Sequence, residues 1–101
     1  QFYFGNVSFL KTLLKKLEKE SLSPLKAIII EACSIAQLDS SADSVLHDIA
    51  DDFKERNIEL KFASVKVPVL RVMKASGLYD KIEERNFFMN IDDAVQSESS
   101  Q

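Results

Sequence analysis

The residues of this chain best suited to chemistry are Asp39, Ser40 and Ser41, three polar side chains that follow its most apolar stretch. Their carboxylate and hydroxyl oxygens can accept hydrogen bonds from the free N–H groups at the start of a helix, so we expect them to act first as helix caps. The carboxylate of Asp39 also suits the positive end of the helix dipole. A serine hydroxyl in a turn can in addition accept a phosphate. The turn is therefore the candidate regulatory or partner-contact site.

The candidates for nucleophilic catalysis are Cys33 and His47, the one cysteine and the one histidine of the chain. Cys33 lies on or just after a buried strand, where we expect a small core residue, and His47 falls on the polar side of a predicted helix. This spacing does not provide an activated nucleophile. No His/Cys cluster has the spacing of metal ligands, and no glycine-rich phosphate loop is present. We therefore predict no catalytic residue, no metal, no cofactor and no enzymatic activity.

Four lysines, Lys11, Lys15, Lys16 and Lys19, cover the polar faces of a predicted N-terminal helix. Residues 1–26 carry five lysines against two glutamates, whereas residues 39–55 carry six acidic residues against one lysine. The simpler interpretation is two solvated helix faces. The functional interpretation is that the lysine face meets an anionic membrane surface, where each nearby lysine contributes roughly 1 kcal/mol.

The apolar stretch from residue 27 to residue 30 organises the predicted fold. No polar residue alternates within Ala-Ile-Ile-Ile, so the pattern predicts a strand buried on both faces in the middle of a parallel sheet. A helix that begins just past the carboxyl end of such a strand points its N–H groups at the crevice where α/β domains bind ligands. This argument places the candidate site at the turn that contains Asp39.

The remaining pattern alternates strands and helices along the chain. Aromatic or alternating apolar residues predict further strands at 1–4, 59–65 and 87–88. Apolar residues at helical spacing predict helices at 7–20 and 41–56, a third from Pro68 to a cap at Gly77, a short turn or helix at 78–82 and a terminal helix from Ile91. The order predicts an α/β domain with a mostly parallel four-stranded sheet flanked by four to five helices.

Composition and length bound the class of protein. A chain of 101 residues forms one domain, and its 46% hydrophobic and 29% charged residues are ordinary for a globular fold. The net charge of −3 argues against a nucleic-acid partner. The longest apolar run is far too short to span a bilayer, and one cysteine fits a reducing compartment. The sequence begins with Gln1 rather than Met, so we expect it to be a piece of a longer protein.

Four motifs resemble the STAS domain, the module shared by sulfate transporters and anti-sigma factor antagonists. They are F-Y-F-G-N-V at 2–7, I-I-I-E-A at 28–32, L-D-S-S-A-D at 38–43, and V-P-V-L-R-V-M-K-A-S-G-L-Y-D-K-I at 67–82. The aromatic-G-N opening resembles the branch found in the sulfate permease family of anion transporters. Ser41 matches the serine that is phosphorylated in the anti-sigma branch, although Ala42 stands where that branch usually has glycine. The family also has a strand before residue 2, which is absent or truncated here.

The resemblance implies a STAS-like domain over residues 1–96, with a polar tail at 97–101. It implies a regulatory or interaction domain on the cytoplasmic side of the plasma (inner) membrane, as part of an anion transporter. The expected partners are the transmembrane part of that transporter, a second copy of the domain, or a cytosolic regulatory protein. The alternative is a free-standing anti-sigma factor antagonist switched by serine phosphorylation. The transported anion cannot be inferred, because the translocation path would lie elsewhere.

Overall fold

The computed structural model describes residues 26–99, which form a parallel sheet with helices on both of its faces. The predicted strand at 1–4 and the predicted helix at 7–20 lie outside the described residues. The strands are β1 (Ala27–Glu31), β2 (Glu59–Ala63) and β3 (Phe87–Phe88), and the helices are α1 (Ser40–Glu55), α2 (Val67–Ser76), α3 (Leu78–Ile82) and α4 (Ile91–Ser99), with a 3-10 turn at Glu84–Asn86.

The sheet has the strand order β1-β2-β3, and both pairings are parallel. The α/β class and the parallel sheet are confirmed, but the described residues contain three strands rather than the predicted four. The middle strand among them is β2, so the prediction that residues 27–30 form a central strand with neighbours on both sides is not confirmed there. The apolar pattern predicts that a strand is buried on both faces of the sheet, but it does not predict which strands lie beside it.

Strand β1 is buried on both faces, as its unbroken apolar run predicts. Ile28 and Ile30 point into the larger core, and Ile29 points into a smaller one on the opposite face of the sheet. Each of these three side chains is at most 1% exposed. This is the expected result when helices cover both sides of a parallel strand.

Helices α1, α2 and α3 pack on the face that contains the larger core. The spacing of Val45, Leu46, Ile49, Ala50 and Phe53 predicts the buried stripe of α1, and all of these residues are buried except Val45, which is half-buried. Pro68 lies in the first turn of α2, where its missing N–H costs no hydrogen bond. Gly77 ends that helix with φ of +85°, the left-handed conformation that favours glycine at a C-terminal cap.

Helix α4 covers the opposite face, and one buried cation lies beneath it. Ile29, Ala63 and Ala94 form the small core there. Lys61 lies between Leu60 and Phe62 on β2 and is only 3% exposed. Its ammonium donates to Ser97 Oγ at 2.8 Å and forms an ion pair with Glu98. Both partners lie on α4, which continues to Ser99, beyond residue 97 at which the polar tail is predicted to begin.

Candidate functional site

The carboxyl ends of the three strands are joined by hydrogen bonds around Glu31. One carboxylate oxygen of Glu31 accepts the N–H of Cys33 at 2.9 Å, and the other lies 3.4 Å from the hydroxyl of Ser64. The same hydroxyl lies 3.4 Å from the carbonyl oxygen of Met89, and the N–H of Ser64 donates to the carbonyl of Phe88 at 3.0 Å. This edge of the sheet is therefore a defined platform from which the chain leads to α1.

Asp39 is the cap of α1, and the two serines after it are not caps. Its backbone is extended, and its Oδ1 accepts the N–H of Ala42 at 2.8 Å. Ser40 and Ser41 are the first two residues of the helix itself and are exposed. The expectation that Asp39 caps the helix is confirmed, and the expectation that the serines do so is wrong. The helix begins one residue earlier than predicted because the Asp39 carboxylate reaches the third helical N–H.

Replacing the cap should destabilise the domain, whereas replacing the serines should not. We expect Asp39→Ala to lower the free energy of unfolding by about 1 kcal/mol, because it leaves the Ala42 N–H without its acceptor. We expect Ser41→Ala to change stability by less than about 0.5 kcal/mol, since exposed surface substitutions rarely do more. Urea unfolding of the two variants measures both values. Equal destabilisation by the two substitutions would contradict the assignment of Asp39 as the cap.

Asp43 points inward, although the sequence suggests an exposed acidic face for it. It is only 7% exposed. Its Oδ1 accepts the hydroxyl of Ser76 at 3.0 Å, and its Oδ2 lies 3.4 Å from His47 Nε2. The same His47 nitrogen lies 3.2 Å from the Ser76 hydroxyl. In a catalytic triad, the two ring nitrogens contact the serine and the carboxylate separately. Here both contacts involve Nε2, so the cluster ties α1 to the end of α2 and does not activate a nucleophile.

Cys33 is exposed in the turn after β1, and the prediction that it is a small core residue is wrong. The apolar run ends at Ile30, but the chain turns at residues 33–34 instead of continuing inward. The neighbouring Glu31 carboxylate, through a hydrogen bond and its negative charge, raises the pKa of the Cys33 thiol. The reactive thiolate is therefore disfavoured, and the imidazole of His47 is engaged with Asp43 and Ser76.

Residues 26–99 contain neither a metal-ligand cluster nor a membrane-spanning helix. Within residues 26–99, no cluster of His, Cys, Asp and Glu side chains could hold a metal ion. No helix in that range is both long enough and apolar enough to cross a membrane. The candidate basic face of Lys11, Lys15, Lys16 and Lys19 lies outside these residues. It stays a prediction.

Two features of the structure were not anticipated from the sequence pattern. The first is the buried Lys61, whose only signal is a single lysine inside the apolar strand Leu60-Lys61-Phe62. The second is the cluster of Asp43, His47 and Ser76, which joins residues from two helices. Helical periodicity assigns each residue to a face of its own helix, but it does not identify the residue that meets it from another helix.

Comparison with known proteins assigns this chain to a family. A family model described as "STAS domain" matches residues 1–94. The chain is 28% identical over 103 residues to "Probable sulfate transporter 4.2" of Arabidopsis thaliana; the match covers 93% of this chain but only 15% of the length of that protein.

Two solved structures share the fold. A sulfate transporter family protein from Wolinella succinogenes superposes with a TM-score of 0.82 at 16% identity, covering 98% of this chain and 83% of that one. The STAS domain of a SulP transporter from Vibrio cholerae superposes with a TM-score of 0.80 at 14% identity, with the same two coverages. At these identities the superpositions establish a shared fold.

Proposed function

The chain belongs to the STAS domain family, and from that premise we propose that it is a non-enzymatic interaction domain of a sulfate-permease-type anion transporter. In this role it lies on the cytoplasmic side of the membrane and contacts the membrane-embedded part of the same protein, a second copy of the domain, or a cytosolic regulator. The similarity to a sulfate transporter of which the chain matches only 15% supports a part of a larger protein. The buried Asp43 cluster and the exposed, unactivated Cys33 offer no catalytic machinery.

The observation that carries this proposal is the surface at the start of α1. Asp39 satisfies the helix end, so Ser40 and Ser41 are not needed for capping. Both are exposed. They stand beside the carboxyl edge of a parallel sheet, which is where α/β domains contact their ligands and partners. The turn is therefore free to contact a partner without loss of the fold.

A charge at Ser41 tests whether this surface is a contact. Asp at this position is favoured by the helix dipole but repelled by Asp39 and Asp43, so we expect Ser41→Asp to leave the melting temperature nearly unchanged. We expect the same variant to change the affinity for the membrane-embedded part by about fivefold or more, which corresponds to about 1 kcal/mol. Pull-down of the detergent-solubilised membrane part by the 101-residue chain measures this affinity.

Ser44→Asp is the matched control, because it adds the same charge to the same helix at another exposed position. If the turn is the contact, the control should bind like the parent chain. Equal affinities for the parent, Ser41→Asp and Ser44→Asp would contradict a contact at the turn. Equal loss in both variants would point to general charge repulsion by α1.

A phosphorylation-switched anti-sigma factor antagonist is the second candidate, because the exposed Ser41 is accessible to a kinase. A phosphate there would add up to about two negative charges at the helix start. The gene sequence that flanks this domain separates the two proposals. A series of apolar segments of about 20 residues would support the transporter, and a short open reading frame without them would support the free-standing antagonist.

The lysines Lys11, Lys15, Lys16 and Lys19 give the transporter proposal a second, independent test. If this face lies near the membrane, the chain should bind vesicles that contain anionic lipid, and the binding should weaken as salt is raised. A variant with all four lysines replaced by glutamine should lose most of that binding. Vesicle co-sedimentation measures it, with neutral vesicles as the control. Equal binding by the parent and the fourfold variant would leave the lysines as a solvated face.

A further inference from the structure

A cavity of about 280 Å³ opens at the amino edge of the sheet, at the opposite end of α1 from the Asp39 turn. Its walls are the last turns of α1, the chain that enters β2, and the segment that runs from the end of α3 through the 3-10 turn. Small-molecule sites commonly have volumes of about 300–1,000 Å³. The cavity is just below this range and would therefore suit a compact ligand.

The chemistry of the cavity is divided between an apolar floor and a cationic rim. Lys54, Lys81 and Arg85 supply three positive charges, although the whole chain has 16 acidic residues against 13 basic ones. An apolar surface with converging polar groups is the usual composition of a ligand site. The floor consists of buried side chains, Phe53, Ile58, Leu60 and Ile82.

The rim cations are available to a ligand at small cost. Arg85 pairs with Glu83 at 3.6 Å, but its side chain is 76% exposed. Lys81 pairs with Asp51, itself largely exposed, at 3.1 Å. Ion pairs with exposed partners contribute little to stability, so an anion can displace them.

The two acidic residues on the lining do not cancel this charge. The Glu83 carboxylate is the exposed partner of Arg85. The Glu59 carboxylate lies 3.3 Å from the buried ammonium of Lys61, which is outside the lining. Both lining carboxylates therefore already have a cation, Glu83 in Arg85 and Glu59 in Lys61, and the lining carries one more positive than negative charge.

The wall of the cavity contains unusual backbone. Glu83 has φ of +82° and ψ of +138°, and Asn57 has φ of +57°. Asparagine tolerates the left-handed region, but the conformation of Glu83 is one that side chains rarely adopt. Such strain persists where the surrounding structure imposes it, often at ligand sites. Here it shapes the turn that brings Glu83 and Arg85 to the rim.

We propose that this cavity binds a compact organic anion, with its carboxylate or phosphate group against Lys54, Lys81 and Arg85 and its apolar part on Ile58 and Leu60. The proposal goes beyond the interaction role inferred above. It concerns the amino edge of the sheet and requires no membrane partner, so the two can fail separately.

Titration of the 101-residue chain with phenyl phosphate, followed by amide chemical shifts, tests the proposal. We expect saturable shifts confined to residues 54–60 and 81–86. Inorganic phosphate should bind about tenfold more weakly because it lacks the apolar part, and phenol should bind more weakly still because it lacks the charge. The same titration with benzoate measures how well a carboxylate replaces the phosphate group.

Lys54→Gln and Arg85→Gln should each weaken phenyl phosphate binding about three- to tenfold.

Arg71→Gln is the matched control, because it removes an exposed positive charge from α2 that does not line the cavity. It should bind phenyl phosphate like the parent chain. Three outcomes would overturn the proposal: no saturable shift at millimolar ligand, shifts that centre on the Asp39 turn, or an equal loss of affinity in Arg71→Gln and Arg85→Gln. The variants change exposed side chains, so their folding can be confirmed from the unperturbed part of the same spectra.

Discussion

Ile30→Asp is expected to unfold the domain, whereas Ile29→Asp is expected to leave it weakened but folded. Both side chains are 1% exposed on β1. Ile30 is in register with Phe62 and points into the larger core, where the clustered buried side chains are all apolar. A carboxylate there would be buried without a partner and should cost about 4–5 kcal/mol or more. That is most of the stability of a typical domain of this size.

The reason for the difference is the residue opposite position 29. Ile29 is in register with Lys61 on β2, and both lie on the face that α4 covers. A carboxylate at position 29 would therefore share the buried ammonium of Lys61 with Glu59 and Glu98, which reduces the cost of burying its charge without removing it. The apolar contacts of the isoleucine are still lost, so we expect a cost smaller than that of Ile30→Asp by about 2 kcal/mol.

Thermal and urea unfolding of the two variants measure this difference. Ile29→Val and Ile30→Val are the controls, and each should cost about 0.5–1.5 kcal/mol because they remove one methylene without adding charge. The double variant Ile29→Asp with Lys61→Met should be as damaging as Ile30→Asp. Indistinguishable stabilities of Ile29→Asp and Ile30→Asp would show that Lys61 does not reach position 29.

Lys61→Glu is expected to destabilise the domain by about 3–5 kcal/mol, with the loss concentrated at α4. The substitution would place a third carboxylate beside those of Glu59 and Glu98, at a position that is only 3% exposed. Like charges buried together without compensation are strongly unfavourable. The substitution would also remove the hydrogen bond that Lys61 donates to Ser97 Oγ.

Lys61→Met should behave differently, although it removes the same ammonium. Methionine has a similar volume, and the Glu98 side chain is 27% exposed, so its carboxylate can turn toward water. Removing one partner of a buried ion pair leaves the other charge behind, and its cost is smaller where that charge can reach water, as the side chains of Glu59 (41% exposed) and Glu98 can. We therefore expect Lys61→Met to destabilise the domain by about 1–2 kcal/mol, clearly less than Lys61→Glu.

Urea unfolding gives the global values for both variants, and hydrogen exchange of the α4 amides shows where stability is lost. In Lys61→Glu the amides of α4 should exchange faster than those of α1, because α4 is the helix that contacts the altered residue. Lys26→Glu, which reverses an exposed charge just before β1, is the control and should change little. Severe destabilisation by Lys61→Met would show that the ion pair itself holds α4 to the sheet.

The sequence by itself determined the elements of the described region. Three consecutive isoleucines predict a strand buried on both faces, because no polar residue alternates with them. The spacing of Leu46, Ile49 and Phe53 predicts the buried stripe of α1. Periodicity and the turn chemistry of Pro68 and Gly77 are local properties. They could therefore be identified before the partners of each element were known.

The tertiary structure alone decided which polar groups are buried and what they contact. Asp43 and Lys61 look exposed in a local pattern, but each is covered by a helix distant in sequence that also supplies its hydrogen bonds. The N-cap of α1 is Asp39 rather than one of the serines, because the helix begins at Ser40. The cavity at the amino edge joins side chains from three separate segments. Burial and pairing are long-range properties, because they depend on which distant segments pack together.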